Sequence, residues 1–301
     1  MFKHILVPLD GSGLAESALP AAAFLAEKLS ARVTLIHVIE KNAPREIHGQ
    51  PHLRTFPEAD AYLGTVKERW FPKDQGLDCH VHTSEVDDVA RSIVEHTGEM
   101  DHDLVVMCSH GRGRAHHLFL GSIAQSVISL GSIPVLMTHP DTTGAHGIFS
   151  CRTILVPIDS DPDHIQSLPV AKALAESLES SLHLTMVINR FGTLSGPMAV
   201  TSRFLPGTTS RLLDLSTRNA GQYVEKQLKE LLAQGFQADG EVLRGDPATV
   251  IAESARKTKA DIIVLATHGR SGMEAFWAGS VTHKLCSLSK TPLLLIPLDR
   301  Q

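Results

Sequence analysis

Ile5-Leu6-Val7-Pro8-Leu9-Asp10 recurs 149 residues further on as Ile154-Leu155-Val156-Pro157-Ile158-Asp159, and this repetition decides the fold. Each copy is an apolar run too short for a helix and closed by an aspartate, which reads as a buried strand. Downstream, Ser109-His110-Gly111-Arg112 recurs as Thr267-His268-Gly269-Arg270, and Gly121-Ser122 as Gly279-Ser280, both 158 residues on. The chain is one unit written twice. The nine extra residues of the second copy are expected in Asn189 to Thr209, rich in Gly, Ser, Thr and Pro and read as a long loop. His139 to Cys151, with Pro140, Gly144 and Gly147, reads as a linker, giving domains 1–140 and 151–301.

Outward from these anchors, strands and helices alternate. The first copy reads as helix Leu14 to Ser30, strand Val33 to Ile39, helix Pro57 to Lys73, strand Leu77 to Thr83, helix Val86 to Thr97, strand Asp103 to Cys108, helix Ser122 to Leu130 and strand Pro134 to Thr138. The second copy repeats the order, with strands Thr153 to Ile158, Leu182 to Ile188, Phe236 to Leu243, Ile262 to Ala266 and Leu293 to Ile296. Continuous Val/Ile/Leu strands between amphipathic helices imply a parallel sheet covered on both faces. The expected class is α/β, a doubly wound, Rossmann-like domain of five parallel strands in the order 3-2-1-4-5, built twice.

Composition narrows the function. At 301 residues and 43% hydrophobic, the chain can bury two cores and is not globally disordered. A net charge of −5 without a basic stripe argues against nucleic acid as partner. The longest apolar runs are strand-sized, far below the ~20 residues a bilayer crossing needs, so no membrane association is expected. Met1-Phe2-Lys3-His4 runs straight into the first strand, leaving no room for a secretory leader, and the expected location is the cytoplasm. The cysteines Cys79, Cys108, Cys151 and Cys286 form no C-x-x-C pair and read as reduced thiols.

In such sheets ligands bind beyond the carboxyl ends of the strands, where the strand order reverses. The loop after strand one, with Asp10 or Asp159, and the loop after strand four, with His-Gly-Arg, face that point in each copy. The second loop ends at Gly-Ser before a helix, whose unpaired N–H groups and partial positive charge can hold a phosphate. A carboxylate on the opposite lip suits ribose hydroxyls. Each feature also has a plain structural role, since Gly-Ser and Asp are common helix caps. Both copies keep all three.

These motifs resemble the universal stress protein (UspA-like) family in its tandem form, over nearly the whole chain. The family's G-x-x-G, nine residues, G-[S/T] motif is met in spacing from Arg112 to Leu120 and from Arg270 to Ala278, with Cys108 and Ala266 standing where the first glycine belongs. The resemblance implies an adenine nucleotide alpha hydrolase-like fold and an adenine nucleotide as partner: ATP, ADP or AMP, with or without Mg²⁺. In the second copy it places Pro157, Asp159 and Val187 around the nucleoside, and Ala266, His268, Gly269, Gly279, Ser280, Val281 and Thr282 around the phosphates. In the first copy the same positions are Pro8, Asp10, Val38, Cys108, His110, Gly111, Gly121, Ser122, Ile123 and Ala124. The second copy is expected to bind better. It has Thr282 where the first has Ala124, and a Gly245-Asp246-Pro247 turn against Thr83-Ser84-Glu85-Val86, where Glu85, Asp87 and Asp88 would add negative charge.

No G-x-x-x-x-G-K-[ST] loop, no G-x-G-x-x-G after strand one and no paired nucleophile and base occur. No catalytic residue and no metal ligand is assigned, and the reading is a non-enzymatic nucleotide-binding stress-response regulator with at most slow ATP hydrolysis. The alternatives are an interaction module with lapsed nucleotide sites or a metal-binding first domain. The second alternative comes from the histidines, thirteen of seventeen in residues 1–150: His80 and His82 share one strand face, with no third ligand fixed by spacing. The last strands, Pro134 to Thr138 and Pro292 to Pro297, read as sheet edges able to pair within the chain, an intrachain pseudo-dimer, with a homodimer as a further assembly.

Overall fold

The computed structural model describes residues 1–47, 49–71, 76–109, 120–139, 148–159, 166–194, 196–267 and 281–298, with the side chains of residues 84 and 85 excepted. They form two compact units, one built on Met1–Ser150 and including the last strand of the chain, the other built on Cys151–Ala266 and including the helix Val281–Leu288.

The first unit runs β1 (His4–Pro8), a 3-10 turn Ala15–Ala18, α1 (Leu19–Leu29), β2 (Arg32–Glu40), a small hairpin of Glu46–Ile47 and Gln50–Pro51, α2 (Phe56–Trp70), β3 (Leu77–Val86), α3 (Val89–Glu99), β4 (Leu104–Cys108), α4 (Ser122–Leu130) and β5 (Val135–Thr138). Its strands lie in the order β3-β2-β1-β4-β5, all parallel. The second unit runs β6 (Thr153–Ile158), α5 (Ser167–Leu178), β7 (Ser181–Ile188), α6 (Gly196–Phe204), α7 (Pro206–Ala233), β8 (Ala238–Arg244), α8 (Pro247–Thr258), β9 (Ile262–Thr267) and α9 (Val281–Leu288), with strands in the parallel order β8-β7-β6-β9. The final strand, β10 (Leu293–Pro297), pairs antiparallel with β5, Leu293 opposite Met137 and Leu295 opposite Val135.

The central strands are hydrophobic throughout because both faces are covered: Ile5, Leu6, Val7, Ile154, Leu155 and Val156 are all fully buried. Both copies also fix the start of their first strand in the same way. Asp103, just before β4, accepts from the amides of Lys3 and His4, and Asp261 does the same for Arg152 and Thr153. Helix α2 starts where Thr55-Phe56-Pro57-Glu58 says it should, with Glu58 reaching back to the Thr55 amide in a capping box.

Two expectations need correction. Asn189 to Thr209 is not a long loop: it holds a 3-10 turn at Phe191–Thr193, all of α6 and the start of α7. Gly196, Pro197, Pro206 and Gly207 fall at the first two positions of α6 and α7, where they do not interrupt the hydrogen-bond ladder. Nor does a helix begin at Val86. There β3 continues to Val86, and Asp88 caps α3 by accepting from the Arg91 amide at 3.0 Å. The expected linker lies largely outside the described residues, since 140–147 are not among them.

Candidate functional site

In the first unit a mostly apolar cavity of about 90 Å³ opens at the carboxyl ends of β1, β2 and β4. That is several times the ~10–15 Å³ one water occupies on this measure. The strand order reverses between β1 and β4, the place where doubly wound sheets leave a crevice. Pro8, Asp10, Val38, Cys108, Gly121 and Ile123 all line it, as does Ala124. Ser122 is exposed at the first position of α4 and does not line it. His110 and Gly111 lie outside the described residues.

Local backbone chemistry aims these groups. Gly11, next to Asp10, has φ +87°, and a side chain there would meet Leu53 at 2.9 Å, so the turn that presents Asp10 requires glycine. Asp10 itself is half-buried and accepts from the Ser12 amide at 2.9 Å, which holds the carboxylate in place at the cavity. Opposite, Gly121 is the extended N-cap of α4 and makes no side-chain cap. The first amides of that helix have no intrahelical acceptor, and of the residues that carry them Ile123 and Ala124 line the cavity while Ser122 does not.

Three lining groups were not assigned to the site from the sequence. His37 is 1% exposed and lies between two backbone carbonyls, its Nδ1 2.8 Å from that of Leu9 and its Nε2 3.2 Å from that of Leu53, packed between the end of β1 and the loop after the hairpin. His52 approaches the Pro44 carbonyl at 3.3 Å. Glu40 puts a carboxylate on the cavity wall, where the second copy has Asn189. Of the acids named beforehand, Asp87 lies 3.6 Å from Lys41 and Asp88 caps α3, while the Glu85 side chain lies outside the described residues.

In the second unit Pro157 is half-buried, Asp159 exposed, Val187 and Ala266 half-buried, Val281 exposed and Thr282 buried. His268, Gly269, Gly279 and Ser280 lie outside the described residues. Asp246 caps α8, accepting from the Thr249 amide at 3.2 Å and its hydroxyl at 3.0 Å, with Lys284 of α9 at 3.7 Å. The Thr249 amide, ahead of Lys284, holds the Asp246 carboxyl below the usual range. Gly245 is fixed by crowding, since a side chain there would strike Val250 at 2.5 Å. Asp246 and Asp88 are counterparts 158 residues apart, so the first copy keeps the capping aspartate that the sequence comparison missed. The extra length of β3 had hidden it.

The whole chain can now be set beside known proteins. Residues 1–139 and 150–297 each match the universal stress protein family. The chain belongs to that family. A universal stress protein of Mycolicibacterium smegmatis is 25% identical over 309 residues, covering 97% of this chain and 96% of its own length. One from Synechocystis is 34% identical over 138 residues, 46% of this chain and 85% of its own. The crystal structure of a universal stress protein from Archaeoglobus fulgidus superposes with a TM-score of 0.65 at 15% identity, covering 98% and 96% of the two chains. No helix among the described residues is long and apolar enough to cross a membrane.

Proposed function

We propose that this universal stress protein binds an adenine nucleotide, ATP, ADP or AMP, at the carboxyl ends of its strands. The observation that carries the reading is the first unit's cavity, which unites Pro8, Asp10, Val38, Cys108 and the start of α4 although Pro8 and Gly121 are 113 positions apart in the chain. Val38 and Pro8 offer apolar contact for a base, Asp10 accepts from ribose hydroxyls, and the α4 amides receive phosphate. In the second unit Pro157, Asp159, Val187, Ala266, Val281 and Thr282 take the same roles, with His268, Gly269, Gly279 and Ser280 completing the phosphate loop. The second site is the tighter of the two, because Asn189 stands where Glu40 puts a carboxylate on the wall of the first cavity, so an anionic ligand meets one negative charge fewer there. Among the described lining residues of the first crevice no base is paired with a nucleophile, and the role we assign to the nucleotide is to bias shape or partner choice in the cytoplasm. The antiparallel pairing of β10 with β5 supports the expected pairing of terminal strands within one chain.

Calorimetric titration with ATP, ADP and AMP tests this. We expect binding to the unmodified protein, a small loss in Gly121→Asp and a larger one in Gly279→Asp, each substitution placing a carboxylate where phosphate docks. No heat at millimolar nucleotide, a free energy weaker than about −4 kcal/mol, would sink the reading and leave an interaction module.

A further inference from the structure

His80 and His82 point to one side of β3, two residues apart on a strand. The structure brings a third histidine to them that sequence spacing did not fix: His96, from the last turns of α3. Their ligand atoms all lie within 4.8 Å of one another. His80 Nε2 is 3.1 Å from His96 Nε2, and the ring of His82 stands perpendicular to that of His96 at 4.9 Å between centroids. Two imidazoles on one tetrahedral zinc, at ~2.0–2.1 Å from the metal, have nitrogens about 3.3 Å apart. The cluster is thus close to the spacing zinc requires.

Orientation agrees. His96 is 4% exposed, and its Nδ1–H donates to the Ser92 carbonyl at 2.7 Å, which fixes the tautomer and turns the Nε2 lone pair into the cluster. Metal-binding histidines are held in this way. Glu99, one turn on, has a carboxylate oxygen 4.0 Å from His96 Nε2 and supplies a fourth donor at the open side. Cys79 points to the opposite face of β3, so the donors are imidazoles and a carboxylate, a set that suits zinc.

We propose that the first unit binds one divalent transition-metal ion, Zn²⁺ by preference, through His80, His82 and His96 with Glu99 on the open side. The ion cross-links β3 to α3. The first turns of that helix, at Val89 and Ile93, line the cavity, and His82 pairs in register with Val38, another lining residue. Metal occupancy therefore stiffens one wall of the nucleotide crevice.

The test uses tag-free full-length protein, stripped with EDTA and titrated with Zn²⁺ against a chromophoric chelator, with metal content read by mass spectrometry. We expect one equivalent of Zn²⁺ and a thermal midpoint that rises with free Zn²⁺. Affinity should fall at least about a hundredfold in His82→Asn and His96→Ala, beyond the roughly 10–100-fold that outer partners cost. His183→Ala, in the second unit, should bind as the unmodified protein does. Should His96→Ala not fold, His82→Asn on the exposed edge of β3 and the Co²⁺ absorption spectrum of the unmodified protein still decide. No stoichiometric binding, an octahedral Co²⁺ spectrum, or zinc affinity unchanged in His82→Asn would overturn the proposal.

Discussion

The third strands of the two copies, β3 and β8, occupy the same place in their units and solve the same electrostatic problem with opposite chemistry. Register fixes the correspondence: Leu77 stands opposite Val33 and Ala238 opposite Leu182, so His80 matches Glu241 and His82 matches Leu243. On the following helices, counted from the capping aspartates, His96 matches Ser254 and Glu99 matches Lys257. In the second copy Ser254 donates to Glu241 at 2.8 Å and Lys257 reaches its other oxygen at 3.2 Å. The negative centre is met by a cation the chain itself provides. In the first copy the same four positions hold three imidazoles and a carboxylate, a set of donors facing one another without an internal cation at those positions. One fold position is neutralised from within, and its repeat is built to receive an ion.

The sharpest way to break this comparison is to transplant it. Glu241→His, Leu243→His and Ser254→His together, with Lys257→Glu, should give the second unit a zinc site and raise the stoichiometry from one equivalent to two, a gain of several hundredfold or more in affinity at that place. If the transplanted unit folds and takes up no metal while the first unit does, backbone position is not what makes the cluster.

Acid should separate the units next. His4 and His102 stack at 3.9 Å between ring centroids in the first unit, where the second copy has Thr153 and Ala260. Arg32 donates to His4 Nδ1 at 3.2 Å, so His4 must stay neutral there, with Nε2–H left to serve the Thr34 hydroxyl at 2.9 Å. Burial, ahead of the Arg32 charge, lowers the His4 pKa; burial, ahead of His4, pushes His102 down to about 4. A histidine depressed in the folded state contributes its full stability above its unfolded pKa of about 6.5 and loses it as pH falls toward the folded value. In the second unit the depressed groups with causes in hand are Glu225, Glu241 and Asp246, carboxyls whose contribution is lost only below their ordinary values near 4.5, 4.5 and 3.8. Between pH 7 and pH 5, in EDTA, urea melts followed by NMR should show the first unit losing about 2 kcal/mol and the second almost none. His102→Leu should flatten the difference. Equal acid sensitivity in both units would show that the stacked pair does not set it.

How much of this could be read in the chain follows from what repeats. The strands, the crevice and its lips were legible because Ile-Leu-Val-Pro, the aspartate after it and the Gly-Ser recur at constant offsets. His96 was not, because a strand and the helix after it are brought together by packing, and no spacing rule links His82 to a residue 14 positions on. Glu40 escaped for a related reason: it reads as the end of a strand, and only the register shift after Val38 shows where the strand's course changes. The αL residues that end α1 and α5, Ser30 and Glu179, also gave no glycine signal, since tertiary packing holds them there at a cost of about 1 kcal/mol each. The apparent loop at Asn189 to Thr209 misled because Gly and Pro mark helix starts as readily as turns.

The smallest expected effect lies at the counterpart caps. Asp88 accepts one backbone hydrogen bond, from Arg91 at 3.0 Å, and lies 3.7 Å from that residue's exposed guanidinium. Asp246 accepts from both the amide and the hydroxyl of Thr249 and has Lys284 beside it. Losing an N-cap carboxylate costs ~1 kcal/mol. The hydroxyl bond adds a few tenths and the half-exposed lysine little more, because water screens it. Native-state hydrogen exchange, read on β1 for the first unit and β6 for the second, should therefore find Asp246→Ala the costlier substitution by about 0.5 kcal/mol. The extra cost should persist in high salt, since it comes from a hydrogen bond rather than from the ion pair. A larger loss in Asp88→Ala would mean that α3 depends more on its cap than α8 does.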